Sequence, residues 1–432
     1  MTRTRTVLAA ALSAAVLAAA SPAAAQEAGV VEGPGIKVGE GTVLHPVLGV
    51  ESGVIHNIFY EEGDPSFSGL IRIIAEFGLG SLTEQRLAPA PSDGEGDAET
   101  AKPAPQGGIK FRADARFAYE EFLNGNDNIQ AQRNLTFGIR LRGHVRPENT
   151  FSLQFDEDLR REVRPTNFES RGDLARFVNR LLIQGNYQPQ GRALFGHLRY
   201  QNTLDVFERD TLSFANRWQH TLGTRLNWQW LPATRFYADA SIGFFSALSD
   251  STKPSSMPLR IMTGAQTALT VNTTLSAKLG FGKGFYSAGP DFTNVLYGAQ
   301  FGYRFSPQSR ATFMYDYDFG DSINANFFRD HAFQAQLSQQ IDRWTLSLAA
   351  EARLRLYRGV SAIVPGASAD DRSDLILAVP LGATYNFSER LAGNIDYRLV
   401  TDQTDFRYMT DGFIDDPSYT RHELMAGIRG AL

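Results

Sequence analysis

Trp344-Thr-Leu-Ser-Leu-Ala-Ala-Glu-Ala-Arg-Leu-Arg-Leu356 is the stretch whose reading decides the fold. Its even positions are apolar, while Glu351, Arg353 and Arg355 fall on odd ones. Successive side chains of a strand point to opposite faces, so the segment has one greasy face and one charged face. Ile109-Lys-Phe-Arg-Ala-Asp-Ala-Arg-Phe117 shows the same rhythm. A soluble sandwich would bury the greasy faces together. Strands this long, following a secretion signal, point instead to a closed barrel with lipid outside and water inside.

The rhythm recurs along the chain. Strands are expected near 43–53, 68–80, 109–119, 134–146, 150–158, 174–187, 192–201, 214–230 and 234–245. The series continues with 258–269, 273–284, 294–305, 310–319, 329–340, 344–357, 374–387, 390–400 and 418–432. Eighteen is an even count, as single-chain bacterial barrels require. The fold class is all-β: a transmembrane up-and-down antiparallel barrel of about 18 strands. Connections after even-numbered strands are tiny, for example Pro147-Glu148-Asn149, Val271-Asn272 and Ser388-Glu389. Those after odd-numbered strands are longer and polar, as at 120–133, 159–173 and 358–373. Short periplasmic turns alternating with longer external loops give the barrel its orientation.

Residues 1–25 read as a signal peptide: Arg3 and Arg5, an apolar run from Val7 to Ala20, then Ala23-Ala24-Ala25 at the cleavage positions. Residues 26–41 read as a flexible periplasmic tail, and 42–432 as the barrel. No later apolar run reaches the about 18 residues of a membrane-spanning helix. The absence of cysteine excludes disulfides, thiolate metal sites and a lipidated N-terminal cysteine. A net charge of -5 argues against nucleic-acid binding. The expected location is the Gram-negative outer membrane.

Aromatic residues sort to strand ends. Trp218, Leu222, Leu226, Trp228 and Trp230 share the outward face of one strand, with Trp344 at the start of another. Tyr187, Phe305, Tyr385 and Phe387 fall on the periplasmic side, and Tyr119, Tyr317 and Phe319 near the external rim. Amphipathic rings favour headgroup depth. The chain stops on Leu432 rather than on the aromatic residue common at such termini.

The inward face is rich in arginine. Arg112, Arg116, Arg140, Arg142, Arg225, Arg353 and Arg355 are the pore-lining candidates, with fewer acids such as Glu76, Asp114, Asp156, Asp239 and Glu351 beside them. A basic lumen would concentrate anions. The alternative is a ladder of cross-strand ion pairs, in which Arg140 lies near both Asp114 and Asp156. Inward glutamines, among them Gln184, Gln219, Gln266 and Gln334, suit polyhydroxylated solutes. The third external loop carries Arg160, Arg161, Arg164 and Arg171 and is the constriction candidate. Catalysis finds no support. The seven histidines are scattered, no G-x-S-x-G elbow occurs, and Gly280-Phe-Gly-Lys-Gly284 lacks the strand–turn–helix context of a phosphate loop. No cofactor or metal site is expected.

The first hairpin, Leu44-His-Pro-Val-Leu-Gly-Val-Glu-Ser-Gly-Val-Ile-His-Asn-Ile-Phe59 followed by Ser68-Gly-Leu-Ile-Arg-Ile-Ile-Ala-Glu-Phe77, carries a resemblance. It resembles the opening of an outer-membrane β-barrel porin family associated with exopolysaccharide gene clusters. The architecture is similar to the eighteen-stranded polysaccharide-export porins of myxobacteria. The resemblance implies passage of a secreted polysaccharide across the outer membrane. It also implies a separate periplasmic polysaccharide export protein as partner. The residues alone leave open a general or anion- or sugar-selective diffusion porin. One connection, 81–108, is long and rich in proline and glycine, with a composition that predicts disorder in isolation. By parity it is periplasmic, so it is either a tolerated insertion or the docking segment for that partner. Deleting 81–108 should leave a folded, heat-modifiable barrel on gel electrophoresis. If the segment docks a partner, the deletion also abolishes co-purification, and unchanged co-purification removes the docking role.

Overall fold

A closed ladder of antiparallel strands accounts for almost every described residue of the computed structural model. The structure describes residues 33–39, 41–81, 108–163, 175–191, 193–248, 254–323, 325–360, 372–404, 406–410, 413–415 and 417–432. The signal-peptide segment 1–25, most of the 81–108 insert, and Arg164 and Arg171 lie outside the described residues.

The main sheet contains nineteen strands, of which β1 (Ile36–Gly39) is a four-residue addition, leaving eighteen in the barrel. These are β2 (Thr42–His56), β3 (Phe67–Ser81), β4 (Ile109–Leu123), β5 (Asn134–Val145), β6 (Phe151–Glu162) and β7 (Arg176–Tyr187). Next come β8 (Leu194–Phe207), β9 (Arg217–Leu231), β10 (Thr234–Ala247), β11 (Ser256–Thr270), β12 (Thr273–Tyr286) and β13 (Phe292–Ser306). The wall continues through β14 (Ser309–Asp321), β15 (Phe327–Ile341), β16 (Trp344–Arg358), β17 (Ser373–Ser388) and β18 (Leu391–Thr404). A small pair, β19 (Tyr408–Thr410) and β20 (Phe413–Asp415), precedes the last wall strand, β21 (Tyr419–Ala431). Each wall strand expected from the alternation is present. Most run a few residues further at the end away from the short turns, so that 159–162 belongs to β6 rather than to the third loop.

Closure is made by β2 against β21, in register from Val47↔Ala431 to His56↔His422. Lipid offers no hydrogen bonds, so a spanning sheet must leave no edge. β2 reaches past the end of β21, and there β1 takes the vacant side, pairing Ile36 with Leu44 and Lys37 with Val43. Residues 36–39, expected to be part of a flexible tail, are therefore a strand. The bare edge of β2 is a template that the preceding chain can satisfy.

Outward positions bear out the lipid-facing reading. Leu48, Val50, Ile73, Leu198, Leu222, Leu226, Ile261, Leu279, Leu354 and Ile428 are all exposed on the exterior. All four tryptophans are exposed there too. Toward the external rim, three outward tyrosines pair with histidines of the next wall strand. Tyr200–His220 and Tyr315–His331 are 2.8 Å apart and Tyr397–His422 is 2.9 Å apart, oxygen to Nδ1. This places His220 and His331 on the outer face, each against the hydroxyl of a neighbouring tyrosine. Phe319 departs from expectation. It lies inside the barrel, stacked on Phe292 with ring centroids 4.0 Å apart, because Arg260 takes its carbonyl and covers its ring at 4.2 Å.

The seam depends on a residue without a side chain. A Cβ on Gly53 would lie 1.9 Å from the Leu424 carbonyl oxygen and 2.6 Å from the Met425 sulfur. Gly53→Ala should therefore destabilise the barrel by about 2 kcal/mol, as overpacking does, read as a lower urea midpoint in detergent. Gly63→Ala, where nothing stands within 4 Å, is the neutral control.

Candidate functional site

The inner wall is a set of cross-strand ion pairs placed by the two-residue alternation. On β4 to β6, Arg112 and Arg142 both meet Asp114, at 2.7 and 3.1 Å. Arg140 is bidentate on Asp156, with contacts of 3.0 and 2.6 Å. The sequence places Arg140 near both carboxylates; the structure gives it Asp156 and gives Asp114 to its neighbours. Arg116 meets Glu76 at 3.3 Å. Arg225 meets Asp239 at 3.0 Å and lies 4.5 Å over the Tyr237 ring. Arg353 and Arg355 share Asp330, at 2.7 and 2.8 Å, and Arg355 also covers Phe328 at 3.7 Å. All seven candidates are thus on the inner face, each holding a wall carboxylate.

A second network ties the closure seam from inside. Arg72 on β3 donates to Glu120 at 2.8 Å, to Glu51 at 2.9 Å and to Glu423 at 2.8 Å, all four side chains being buried. Arg429 on β21 reaches Glu51 at 2.8 Å. Three carboxylates around one guanidinium would repel one another without it, so the arginine and its partners stand or fall together. Glu51 is legible as an inward acid in β2. Glu120 is harder to see, because the expected strand stops one residue before it.

The constriction candidates divide. Arg160 lies on the inner face of β6, bidentate on Asp158 with both contacts 2.6 Å. Arg161 lies on the outer face, where it holds Glu208 and the Leu135 carbonyl. One residue's shift along a strand reverses the face, so an Arg-Arg pair in β6 cannot direct both charges into the lumen.

A different connection crosses the mouth. Between β14 and β15, Ile323 packs on Phe207, Leu212 and Ala215, which belong to the β8–β9 end of the wall. β10 to β13 lie between these points along the barrel, so the connection reaches across the opening as a chord at Ser322, Ile323, Ala325 and Asn326. Ala325 packs on Tyr357, Val360 and Phe406. Asn326 donates its amide to the carbonyls of Ala288 at 2.7 Å and Pro290 at 3.3 Å, and its backbone N–H to Arg358 at 3.0 Å. Gly289 and Gly359, with φ of +80° and +71°, press against this side chain, in a conformation where a Cβ would also collide with it.

Other mouth segments fold inward as well. In the first loop, Asn57 holds the Glu61 and Thr420 carbonyls, and Tyr60 packs on Ile376, Val400 and Tyr419 beneath Arg421. Beside β17, Arg372 is buried against Asp374, with its guanidinium 4.3 Å over the Tyr357 ring. Burial opposes its charge, but Tyr357 and Asp374 hold its pKa above the ordinary arginine range. Among the described residues no cluster of His, Asp or Glu could hold a metal ion.

A closed wall with a greasy exterior, a charged interior and short turns at one end defines a multi-pass β-barrel of the Gram-negative outer membrane. No protein-family model and no curated protein matches the chain. Among solved structures, OccK2 (OpdF) of Pseudomonas aeruginosa is similar at 12% identity over 90% of this chain and 98% of its own, with a TM-score of 0.44. The outer membrane protein opdK of the same organism is similar at 9% identity, over 91% and 99%, with a TM-score of 0.46. The siderophore receptor PirA, also from Pseudomonas aeruginosa, is similar at 10% identity, over 89% and 80%, with a TM-score of 0.42. The likeness is of barrel architecture, which a siderophore receptor shares, and it carries no substrate to this chain.

Asn326→Ala removes the two donors that pin the crossing loop. It should speed proteolysis at the mouth loops and lower the thermal midpoint by the equivalent of about 1 kcal/mol, the net loss of two part-buried hydrogen bonds. Equal protease resistance in variant and parent would show that the chord is held elsewhere.

Proposed function

We propose that the chain is a diffusion porin of the outer membrane, passing small polar solutes, sugars and small anions. The observation that carries this reading is the chord made by Ile323 and Ala325 across an otherwise wide barrel with a charged inner wall. An eighteen-strand wall is broad enough for an aqueous channel. A loop fixed across its mouth narrows that opening. The same chord counts against passage of a secreted polysaccharide, the reading implied by the resemblance, since a hydrated polymer would need that opening clear.

Charge supports a modest anion preference. The seven paired arginines contribute little field beyond the wall, because each faces a carboxylate. Arg180, Arg304 and Arg310 differ: they face inward, are exposed, and make no ion pair with any described residue. Arg304 and Arg310 are direct cross-strand neighbours near the short-turn end. Two adjacent uncompensated cations raise the local anion concentration in a narrow aqueous path.

In planar bilayers the purified protein should carry ohmic current with a reversal potential on the anion side under a KCl gradient. Arg304→Glu combined with Arg310→Glu should move that potential toward cations, and an unaltered potential would overturn the assigned source of selectivity. In liposome swelling, monosaccharides should pass and oligosaccharides be excluded; free passage of long oligosaccharides would restore the polysaccharide reading.

A further inference from the structure

Beneath the crossing loop, the inner wall contains a cavity of about 210 Å³ lined by Arg217, Gln219, Pro258, Arg260, Phe319, Gly320 and Asp321. Its walls come from β9, β11 and β14, and Asp321 at the end of β14 is the lining residue next to the crossing connection. We propose that this cavity is a solute subsite of the channel and that it takes a neutral monosaccharide or polyol. The proposal rests on the porin reading and gives it a substrate class.

Size comes first. At about 30 Å³ per water the cavity equals roughly seven waters, and it falls below the about 300 Å³ of pockets for drug-sized ligands. That is the scale of one sugar ring. Charge then separates a neutral solute from an anion. Arg217 donates to Asp205 at 2.6 Å, and Arg260 to Asp318 at 3.1 Å. With Asp321 also on the lining, two cations stand among three carboxylates, which offers an anion no net attraction. Phosphate or carboxylate recognition would need the opposite balance.

The remaining chemistry fits hydroxyl groups. Asp321 accepts from the Ser256 hydroxyl at 2.7 Å and retains acceptor capacity. The side-chain amide of Gln219, inward on β9, makes no hydrogen bond to any described residue, so it offers both donors and an acceptor. Vicinal hydroxyls both donate and accept, and they match a lining that mixes amide, carboxylate and guanidinium. Pro258 supplies an apolar face for a ring's C–H groups, while the Phe319 ring is covered by Arg260 at 4.2 Å and backs the site. Small precisely placed polar groups around an apolar floor are the usual form of such sites.

Single-channel recording on the full-length protein in KCl tests the proposal, with glucose and potassium gluconate as probes at equal concentration. Glucose should interrupt the current in a concentration-dependent way, and gluconate should do so less. Gln219→Leu and Asp321→Asn should each weaken the glucose effect by roughly tenfold, the loss of one good hydrogen bond. Stronger block by gluconate would replace the neutral subsite with an anion site. Current that ignores glucose, or equal glucose affinity in both variants and the parent, overturns the subsite while leaving the porin standing. A protein that inserts and carries no current overturns the porin reading itself.

Discussion

Backbone hydrogen bonding in a medium without water is the constraint on which the structure depends. Every N–H and C=O at bilayer depth needs a partner, and a sheet meets that need only by closing on itself. In this chain the requirement concentrates at one seam, where β2 meets β21. Gly53 permits the close approach of the two backbones, and Arg72 gathers Glu51, Glu120 and Glu423 across the same joint. Where β21 runs out, β1 continues the ladder along β2.

The interior answers a different demand. A hydrated wall must be polar, yet charges held within one low-dielectric ring cost free energy unless they are compensated. Pairing arginine with aspartate or glutamate on the next strand resolves this, and it also cancels most of the field that a count of arginines suggests. Under the proposed porin reading, selectivity falls to the few side chains the ladder leaves out and to the aperture. A basic composition on one face and a basic potential along the pore are separate properties.

The sequence displays the wall clearly because alternation, length and turn spacing all report the same local geometry. It places Arg353 and Arg355 on the inner face for that reason. What it hides is anything set by contact across the barrel. Asp158 and Glu120 lie at or beyond the ends of the expected strands, and Asp330 passes as one more polar residue in an alternating run. Arg161 fails as a constriction residue because the strand continues beneath it and turns it toward lipid. Nothing local in Ser322-Ile-Asn-Ala-Asn326 signals that its isoleucine meets Phe207, some 115 residues away. Such contacts are decided by which loops share a mouth.

Surface loops usually accept insertions and deletions freely, since their backbones face water. The chord across this mouth removes that freedom from several loops at once. The connection at 287–291 supplies carbonyls to Asn326, the end of β16 receives its N–H, and Gly289 and Gly359 are shaped to its side chain. Their lengths are therefore not independent variables. A residue added to one displaces an anchor of the other two, so sequence drift at this end of the barrel must proceed by matched changes or leave these segments alone.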